Sequence, residues 1–378
     1  MVWNCTCAVA TEKAKPFQIR HLLLDEPQEG EIIVEIAGVG VCHTDLTVRD
    51  QHYPVPLPAV LGHEGAGIVV KVGASVTKVA VGDHVVLAYG SCGKCENCQS
   101  GKAGYCIEGF PRNFGARRGD GSSTYRSEEG ESVGGYFFSQ SSFGTYSLAT
   151  ERNVVKIDPS VPLDLMGPLG CGISTGAGTV LNALRPAAGS SIVVFGAGSV
   201  GLSAVMAAKL AGCATIVVVD IVESRLQLAR ELGATAAINA RHPDGVDVVK
   251  AVAALTNGLG AEYSIESTAN PKVLRQALEC LRPTGVCALV GGAPFGTEAT
   301  FDMNTILFGR TLRGVIQGDS VPDVFIPRLI ELWKQGRFPF DKLVKFYALD
   351  EINEACADSE SGRVLKPILR PNSHLISA

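Results

Sequence analysis

Four cysteines fall within one short window, in the pattern Cys92-x2-Cys95-x2-Cys98-x7-Cys106. A chain that places four thiols this close together is organised locally around a metal or around disulfides. The spacing suits one tetrahedral zinc with every coordination position filled by sulfur. Such a closed site is structural, because no position is left for water or substrate. The window also holds Gly, Lys and Asn, as a lobe wrapped on a metal should. Two disulfides, or four scattered core cysteines, are the other readings. The chain has twelve cysteines, and residues 1–17 show no basic-then-apolar leader. That combination points to metal ligands and buried thiols in a cytoplasmic setting, where disulfides are rare.

At 378 residues the chain is too long for one ordinary core, and two domains are expected. Hydrophobic residues make up 46% and charged residues 19%, which is globular composition. The net charge of −5, with no long basic run, argues against a nucleic-acid partner. The uncharged stretch 187–208 is long enough to suggest a membrane span. Gly196, Gly198 and Gly201 interrupt it, so a strand–turn–helix is the better reading and no membrane association is expected.

The first 150 or so residues read as short strands and turns, for example over 31–36, 67–72 and 84–87. The polar stretch 112–142, rich in Gly and Ser with few aliphatics, reads as an extended surface excursion, either a lid or an insertion with no role of its own. From about residue 181 apolar strands alternate with helices. Strands are expected at 191–195, 215–219, 263–266 and 286–290. Helices are expected up to about 212, at 223–232 and at 271–281. This alternation means a doubly wound parallel sheet, so the chain is α/β with a mainly-β first domain. A helix over 324–335 precedes a tail expected to rejoin the first domain. The expected division is 1–172, 173–313 and a return segment 314–378.

Gly196-Ala-Gly198-Ser-Val-Gly201 follows an apolar strand and opens a helix, which is the setting that gives the GxGxxG pattern its meaning. Gly196 makes the turn, Gly198 admits a pyrophosphate and Gly201 lets the helix pack on the strand. The helix N-terminus supplies N–H groups for phosphate. Asp220 ends the next strand, where a carboxylate accepts from ribose hydroxyls and repels a 2′-phosphate, so NAD is favoured over NADP. Arg225 complicates this, since it lies near enough to meet a phosphate, the ribose or the adenine.

Three further candidate ligands are Cys42, His63 (between Gly62 and Glu64-Gly65) and Cys171 (in the run 168–172, PLGCG). Spacing does not join them, and each alone reads as a buried thiol or a satisfied histidine. Together they would make a two-cysteine, one-histidine site with an open position, a set for which alcohol dehydrogenase is a known example.

At these residues the chain resembles the zinc-dependent medium-chain alcohol dehydrogenases, over about residues 5–370. The resemblance is carried by Cys42-His43-Thr44-Asp45, Gly62-His63-Glu64, the four-cysteine lobe, Gly170-Cys171-Gly172 and the glycine fingerprint. The run 49–63 (RDQHYPVPLPAVLGH) and Ser141-Ser142-Phe143 are most like the aryl (benzyl) alcohol dehydrogenases. The resemblance implies a GroES-like catalytic domain split around a Rossmann domain, NAD, one catalytic and one structural zinc, and homo-oligomers, tetramers or else dimers.

It also implies residue roles. Cys42, His63 and Cys171 hold the catalytic zinc. Thr44 takes the alcohol proton. Asp45 orients His63, and Glu64 lies behind the metal as a transient ligand or a structural acceptor. Many relatives pass the proton to a histidine at the position of Thr47. Here the relay runs through ribose hydroxyls and water or recruits His52, which reads equally as a surface residue. His43 stands where relatives often carry an arginine facing the pyrophosphate, and Lys366 is a second candidate for the phosphates. Thr175 and Val200 match positions lining the nicotinamide. The substrate implied is a primary benzylic or allylic alcohol, oxidised reversibly to its aldehyde. Tyr53, Tyr89, Phe143 and Phe295 are aromatics that form either a substrate slot or core. Alternatives are a terpenoid (geraniol or perillyl) alcohol, glutathione-dependent formaldehyde oxidation, for which no anion site is evident, and a non-catalytic zinc-stabilised NAD-binding protein.

Overall fold

The computed structural model describes residues 2–241 and 245–375. The chain divides into two compact units. The first comprises 1–171, 321–328 and 341–378; the second comprises 172–320 and 329–340.

The first unit is mainly β. Its strands are β1 (Trp3–Ala10), β2 (Gln18–Leu24), β3 (Glu31–Gly40), β4 (Ala59–Val60), β5 (Gly65–Val72), β6 (His84–Leu87), β7 (Tyr125–Arg126), β8 (Ser132–Val133), β9 (Tyr146–Thr150) and β10 (Val154–Lys156). A short helix α1 (His43–Arg49) follows β3. Five strands form one sheet in the order β4-β1-β2-β7-β8. β3 is the hub of the other sheet and reads as nearly continuous apolar sequence because it is buried almost throughout. It pairs antiparallel with β5 and β9.

The second unit contains β11 (Ser191–Phe195), β12 (Thr215–Asp220), β13 (Ala236–Asn239), β14 (Ala261–Glu266), β15 (Leu281–Leu289) and β16 (Thr311–Gly314). They form a parallel sheet in the order β13-β12-β11-β14-β15-β16. β11 and β12 are runs of Ile, Val and Phe because both faces are covered in such a sheet. Helices α2 (Gly172–Gly178), α3 (Ser199–Leu210), α4 (Glu223–Leu232), α5 (Val248–Leu255) and α6 (Pro271–Glu279) accompany it. α3 is apolar nearly all round and buried from Gly201 to Ala208, as a helix enclosed by other elements should be.

After helix α7 (Pro322–Lys334) the chain returns through β17 (Val344–Ala348), helix α8 (Ile352–Glu360) and β18 (Lys366–Arg370). β18 pairs antiparallel with β3, Ile368 opposite Gly40, and completes the sheet order β10-β6-β5-β3-β18-β17. The return segment is not all of one unit. Residues 329–340 cluster with the second unit, and Leu329, Ile330, Phe338 and Phe340 are buried.

The stretch 112–142 is a polar surface segment only in its first half. Its polar first half contributes β7 and β8 to a sheet. Arg118 anchors it through a buried two-pronged pair with Glu31, at 2.9 and 3.1 Å. Residues 133–142 are buried throughout, because Tyr136, Phe137 and Phe138 join the core. Among the described residues, no helix is long and apolar enough to cross a membrane.

Candidate metal and dinucleotide sites

The four sulfurs of Cys92, Cys95, Cys98 and Cys106 lie within 4.8 Å of one another. Cys92 and Cys98 Sγ are 3.9 Å apart. Zinc–sulfur bonds of about 2.3 Å at tetrahedral angles give an edge of about 3.8 Å, whereas a disulfide closes to about 2.05 Å. All twelve cysteines are free thiols, so the disulfide reading fails and the donor set fits zinc. Backbone N–H groups already face the sulfurs: Cys95 donates to Cys92 Sγ at 3.3 Å and Cys92 to Cys106 Sγ at 3.2 Å. Such donors favour thiolate. Led by the bond from the Ile107 N–H, they bring the Cys95 thiol down to about 6.

The second cluster is assembled at long range. Cys42, His63, Glu64 and Cys171 each offer a ligand atom within 4.8 Å of the others. Cys42 caps α1 just beyond β3 and donates its N–H to Asp45 Oδ2 at 3.0 Å. His63 lies between β4 and β5. Its Nδ1 is 2.9 Å from Asp45 Oδ1, which also accepts the Gly62 N–H at 3.1 Å. Nδ1 therefore carries a proton toward Asp45, which leaves Nε2 as the ring atom that could meet a metal. Among the described residues, His63 Nε2 is buried with no hydrogen-bond partner. An orphaned buried nitrogen facing two thiols and a carboxylate is the arrangement a metal completes. Gly40 allows it: a Cβ there would come to 2.0 Å from Glu64 Oε2.

In the second unit, Gly196 turns with φ +95°. A Cβ on Gly201 would strike the Gly196 carbonyl at 1.8 Å, whereas a Cβ on Gly198 would meet open space. Gly198 is the N-cap of α3 and provides no side-chain cap, so the first-turn N–H groups remain available to an anion. Asp220 is already engaged with the turn. Oδ2 accepts the Ala197 N–H at 2.6 Å, and Oδ1 accepts those of Ile221 and Val222 at 2.7 and 2.9 Å. Arg225 is half-buried, and among the described residues its Nε has no hydrogen-bond partner. Gly176 lets α2 approach the Val200 carbonyl, which a Cβ would reach at 2.0 Å; Thr175 and Val200 are both half-buried.

Comparison with known proteins agrees with this geometry. Residues 28–159 match the alcohol dehydrogenase GroES-like domain, and residues 199–334 match the zinc-binding dehydrogenase family. A geraniol dehydrogenase from Castellaniella defragrans is 43% identical over 368 residues, 97% of each chain. The chain belongs to the zinc-dependent medium-chain alcohol dehydrogenase family. Two solved structures are similar to this dehydrogenase. An alcohol dehydrogenase zinc-binding domain protein from Burkholderia ambifaria has a TM-score of 0.95 and 53% identity, covering 98% of this chain and 99% of that one. Benzyl alcohol dehydrogenase from Acinetobacter calcoaceticus has a TM-score of 0.94 and 49% identity, covering 98% and 100%. The dehydrogenase is thus an NAD-dependent enzyme with one ligand cluster of the catalytic-zinc type and one of the structural-zinc type.

Lys366 of the dehydrogenase has a partner that was not expected from the sequence. Its ammonium is buried, 2.9 and 3.0 Å from the two Glu64 oxygens and 3.3 Å from the Val41 carbonyl. β18 runs beside β3 and so places this lysine behind Glu64, with which it forms a buried ion pair. Burial pushes the Glu64 carboxyl up to about 7, against the pull of Lys366. Burial also works against charge on Lys366, yet Glu64 and Cys42 together hold it above the ordinary lysine range.

Thr44 is half-buried in the first turn of α1, and His43 and His52 are exposed. The Thr47 hydroxyl donates to the His43 carbonyl at 3.0 Å, so it is committed to the helix. Phe143 is core, edge-on to Phe17 at 5.8 Å, and Phe295 is 66% exposed in the second unit. The aromatics that reach the metal cluster are others. Phe138 stacks on the His63 ring at 4.4 Å, and Phe137 meets it edge-on at 5.6 Å. Phe114 packs on both, and Tyr53 packs on Phe114. The sequence signal for them was the pair Phe137-Phe138, placed in a stretch whose polarity concealed it.

Proposed function

We propose that the dehydrogenase interconverts a primary benzylic or allylic alcohol and its aldehyde with NAD. The aromatic wall of Phe114, Phe137 and Phe138 against the metal ligand His63 carries this reading. Phe137 and Phe138 are buried within it, and the half-buried rings of Phe114 and Tyr53 keep surface for a substrate π-system next to the reacting carbon. Similarity to a benzyl alcohol dehydrogenase and to a geraniol dehydrogenase supports the same substrate class; the second favours a terpenoid alcohol as the other reading within it.

Cys42, His63 and Cys171 would hold the catalytic zinc, and the four-cysteine lobe the structural one. Zinc supplies a Lewis acid that lowers the pKa of a bound alcohol or polarises a carbonyl, and NAD accepts the hydride. Asp45 holds the His63 ring in the ligating tautomer. Glu64, tethered by Lys366, stands behind the ligands. Thr44 takes the hydroxyl proton. Thr47 is committed to the helix and His52 is exposed, so the onward route for that proton is one that the ribose hydroxyls of bound NAD and water would supply. The α3 N-terminus after Gly196, Gly198 and Gly201 takes the pyrophosphate, with His43 as a weaker clamp. Asp220 takes the ribose, Arg225 lies by the adenosine half, and Thr175 and Val200 line the nicotinamide.

We also propose a homo-oligomer in the cytoplasm, a tetramer or else a dimer. Among the described residues β16 has β15 as its one neighbour, and Phe295, Met303, Leu307 and Phe308 are exposed nearby in sequence. An open strand edge and exposed apolar side chains are features a second copy covers. Twelve free thiols suit a reducing compartment.

The test is NADH formation by zinc-loaded protein with benzyl alcohol, geraniol, ethanol and hydroxymethyl-glutathione, each with NAD and NADP. Preference for benzyl alcohol or geraniol with NAD is expected and separates the aryl from the terpenoid reading. Turnover confined to ethanol or hydroxymethyl-glutathione refutes the substrate class.

A further inference from the structure

The stretch leading into β9 has an unusual backbone. Tyr136, Phe138, Ser139 and Ser141 have φ of 83°, 53°, 54° and 56°, although none is glycine. Such a run persists only where its surroundings over-determine it. Asn153 Nδ2 donates to the Ser139 carbonyl at 3.2 Å, Ser147 Oγ to the Gln140 carbonyl at 2.7 Å and Ser141 Oγ to the Val60 carbonyl at 2.7 Å. What this framework presents is the side chain of Gln140, which is fully buried.

The main chain here pairs with the residues just before His63. Ser142 donates to the Gly62 carbonyl at 2.8 Å and Phe143 to the Leu61 carbonyl at 3.0 Å. One step further the backbone has coiled away, and the Gln140 amide continues the ladder in its place. Nε2 donates to the carbonyls of His63 and Ala88, both at 3.0 Å. Oε1 accepts the Gly65 N–H at 3.2 Å and the Ser142 hydroxyl at 2.6 Å. Both donors and both lone pairs are used. The bonds to the His63 carbonyl and the Gly65 N–H bracket Glu64 as a neighbouring strand would. Asp45 fixes the His63 ring and accepts the N–H groups of Cys42 and Gly62.

We infer that Gln140 is a positioning residue for the metal site. Its amide sets the backbone of His63-Glu64-Gly65, so that His63 Nε2 and the Glu64 carboxylate face Cys42 and Cys171 together. The inference rests on the proposed reading of Cys42, His63 and Cys171 as zinc ligands. It also gives the 136–143 stretch a role: its left-handed backbone exists to deliver one amide.

The test compares cobalt-substituted wild type, Gln140→Met, which fills the space without hydrogen bonding, and Ser142→Ala, which removes one bond to the amide. The visible band of the catalytic cluster is assigned by its absence from Cys171→Ser. In Gln140→Met that band should shift, and metal affinity at the cluster, read by chelator competition, should fall about ten- to a hundredfold, the usual effect of losing an outer partner of a ligand. The lobe band should stay unchanged. Ser142→Ala, which keeps both amide bonds to the ligand loop, should show a smaller shift of the same band and remains informative if Gln140→Met does not fold. An unchanged cluster band and unchanged metal affinity in Gln140→Met, or in Ser142→Ala where that variant alone folds, overturn the inference, whatever the thermal stability. A wild-type chain that binds cobalt in the lobe alone overturns the ligand reading itself, and the inference with it.

Discussion

The two metal-ligand clusters of this dehydrogenase are built in opposite ways. The lobe takes its four sulfurs from one window, 92–106, and holds them with backbone N–H groups of the same window. The second cluster takes ligands from residues 42, 63 and 171, and holds them with side chains from still elsewhere, Asp45, Gln140 and Lys366. Closing a short loop carries little chain entropy, so a metal can organise the lobe by itself. No metal could gather the second set from an open chain. There the sheets place the ligands first, and the metal arrives at a site already formed. One centre therefore makes structure, and the other uses it.

Removing a lobe ligand should break this contrast most visibly. Cys98→Ser should cost one metal per chain and unfold the lobe, since structural zinc contributes roughly 10–16 kcal/mol in isolated fingers. The expected readings are poor soluble yield and a Tm lower by about 10 °C or more. Cys171→Ser should do the reverse. One metal is again lost, and activity falls by about a thousandfold or more, because the Lewis acid goes with it. The Tm should stay within about 3 °C of wild type. If both variants unfold alike, the second site is not preformed.

Asp45→Asn sharpens the comparison within the second centre. It keeps the shape and one acceptor oxygen but loses the charge behind His63. Chelator competition should show about ten- to a hundredfold weaker metal binding there, with the lobe metal undisturbed. The smallest effect is expected from Asp358→Asn, which belongs to neither cluster. Asp358 accepts from the Tyr347 hydroxyl at 2.5 Å, from Arg363 at 2.6 and 2.8 Å and from Lys345 at 3.1 Å. These donors, Tyr347 foremost, hold its carboxyl well below the usual range. A depressed folded-state pKa gives stability that is present above the unfolded value of about 3.9 and lost as pH falls through the folded one. The variant should melt below wild type at pH 7, and the gap should close as the solution is acidified below about pH 4.

What sequence reading recovered follows the same division. The four-cysteine spacing and the glycine turn of 196–201 are local patterns, and their geometry is encoded within a few residues. Cys42, His63 and Cys171 were joined by resemblance, because no spacing links positions so far apart. The pairing of Lys366 with Glu64 was not legible, because the two are 302 residues apart and the β3–β18 pairing brings them together. The second half of the 112–142 stretch was misread because its Ser and Gln side chains look solvated, although in the fold Gln140 and Ser141 hydrogen-bond to buried backbone.

The carboxylate of Asp220 has a consequence for coenzyme engineering. The group proposed to meet the ribose and to disfavour a 2′-phosphate also ties down the N–H of Ala197, inside the glycine turn. Discrimination between coenzymes and the shape of the phosphate cradle are thus one latch. Replacing Asp220 to admit NADP would release the cradle at the same moment, so a change of coenzyme in this scaffold calls for a second substitution that secures the turn again.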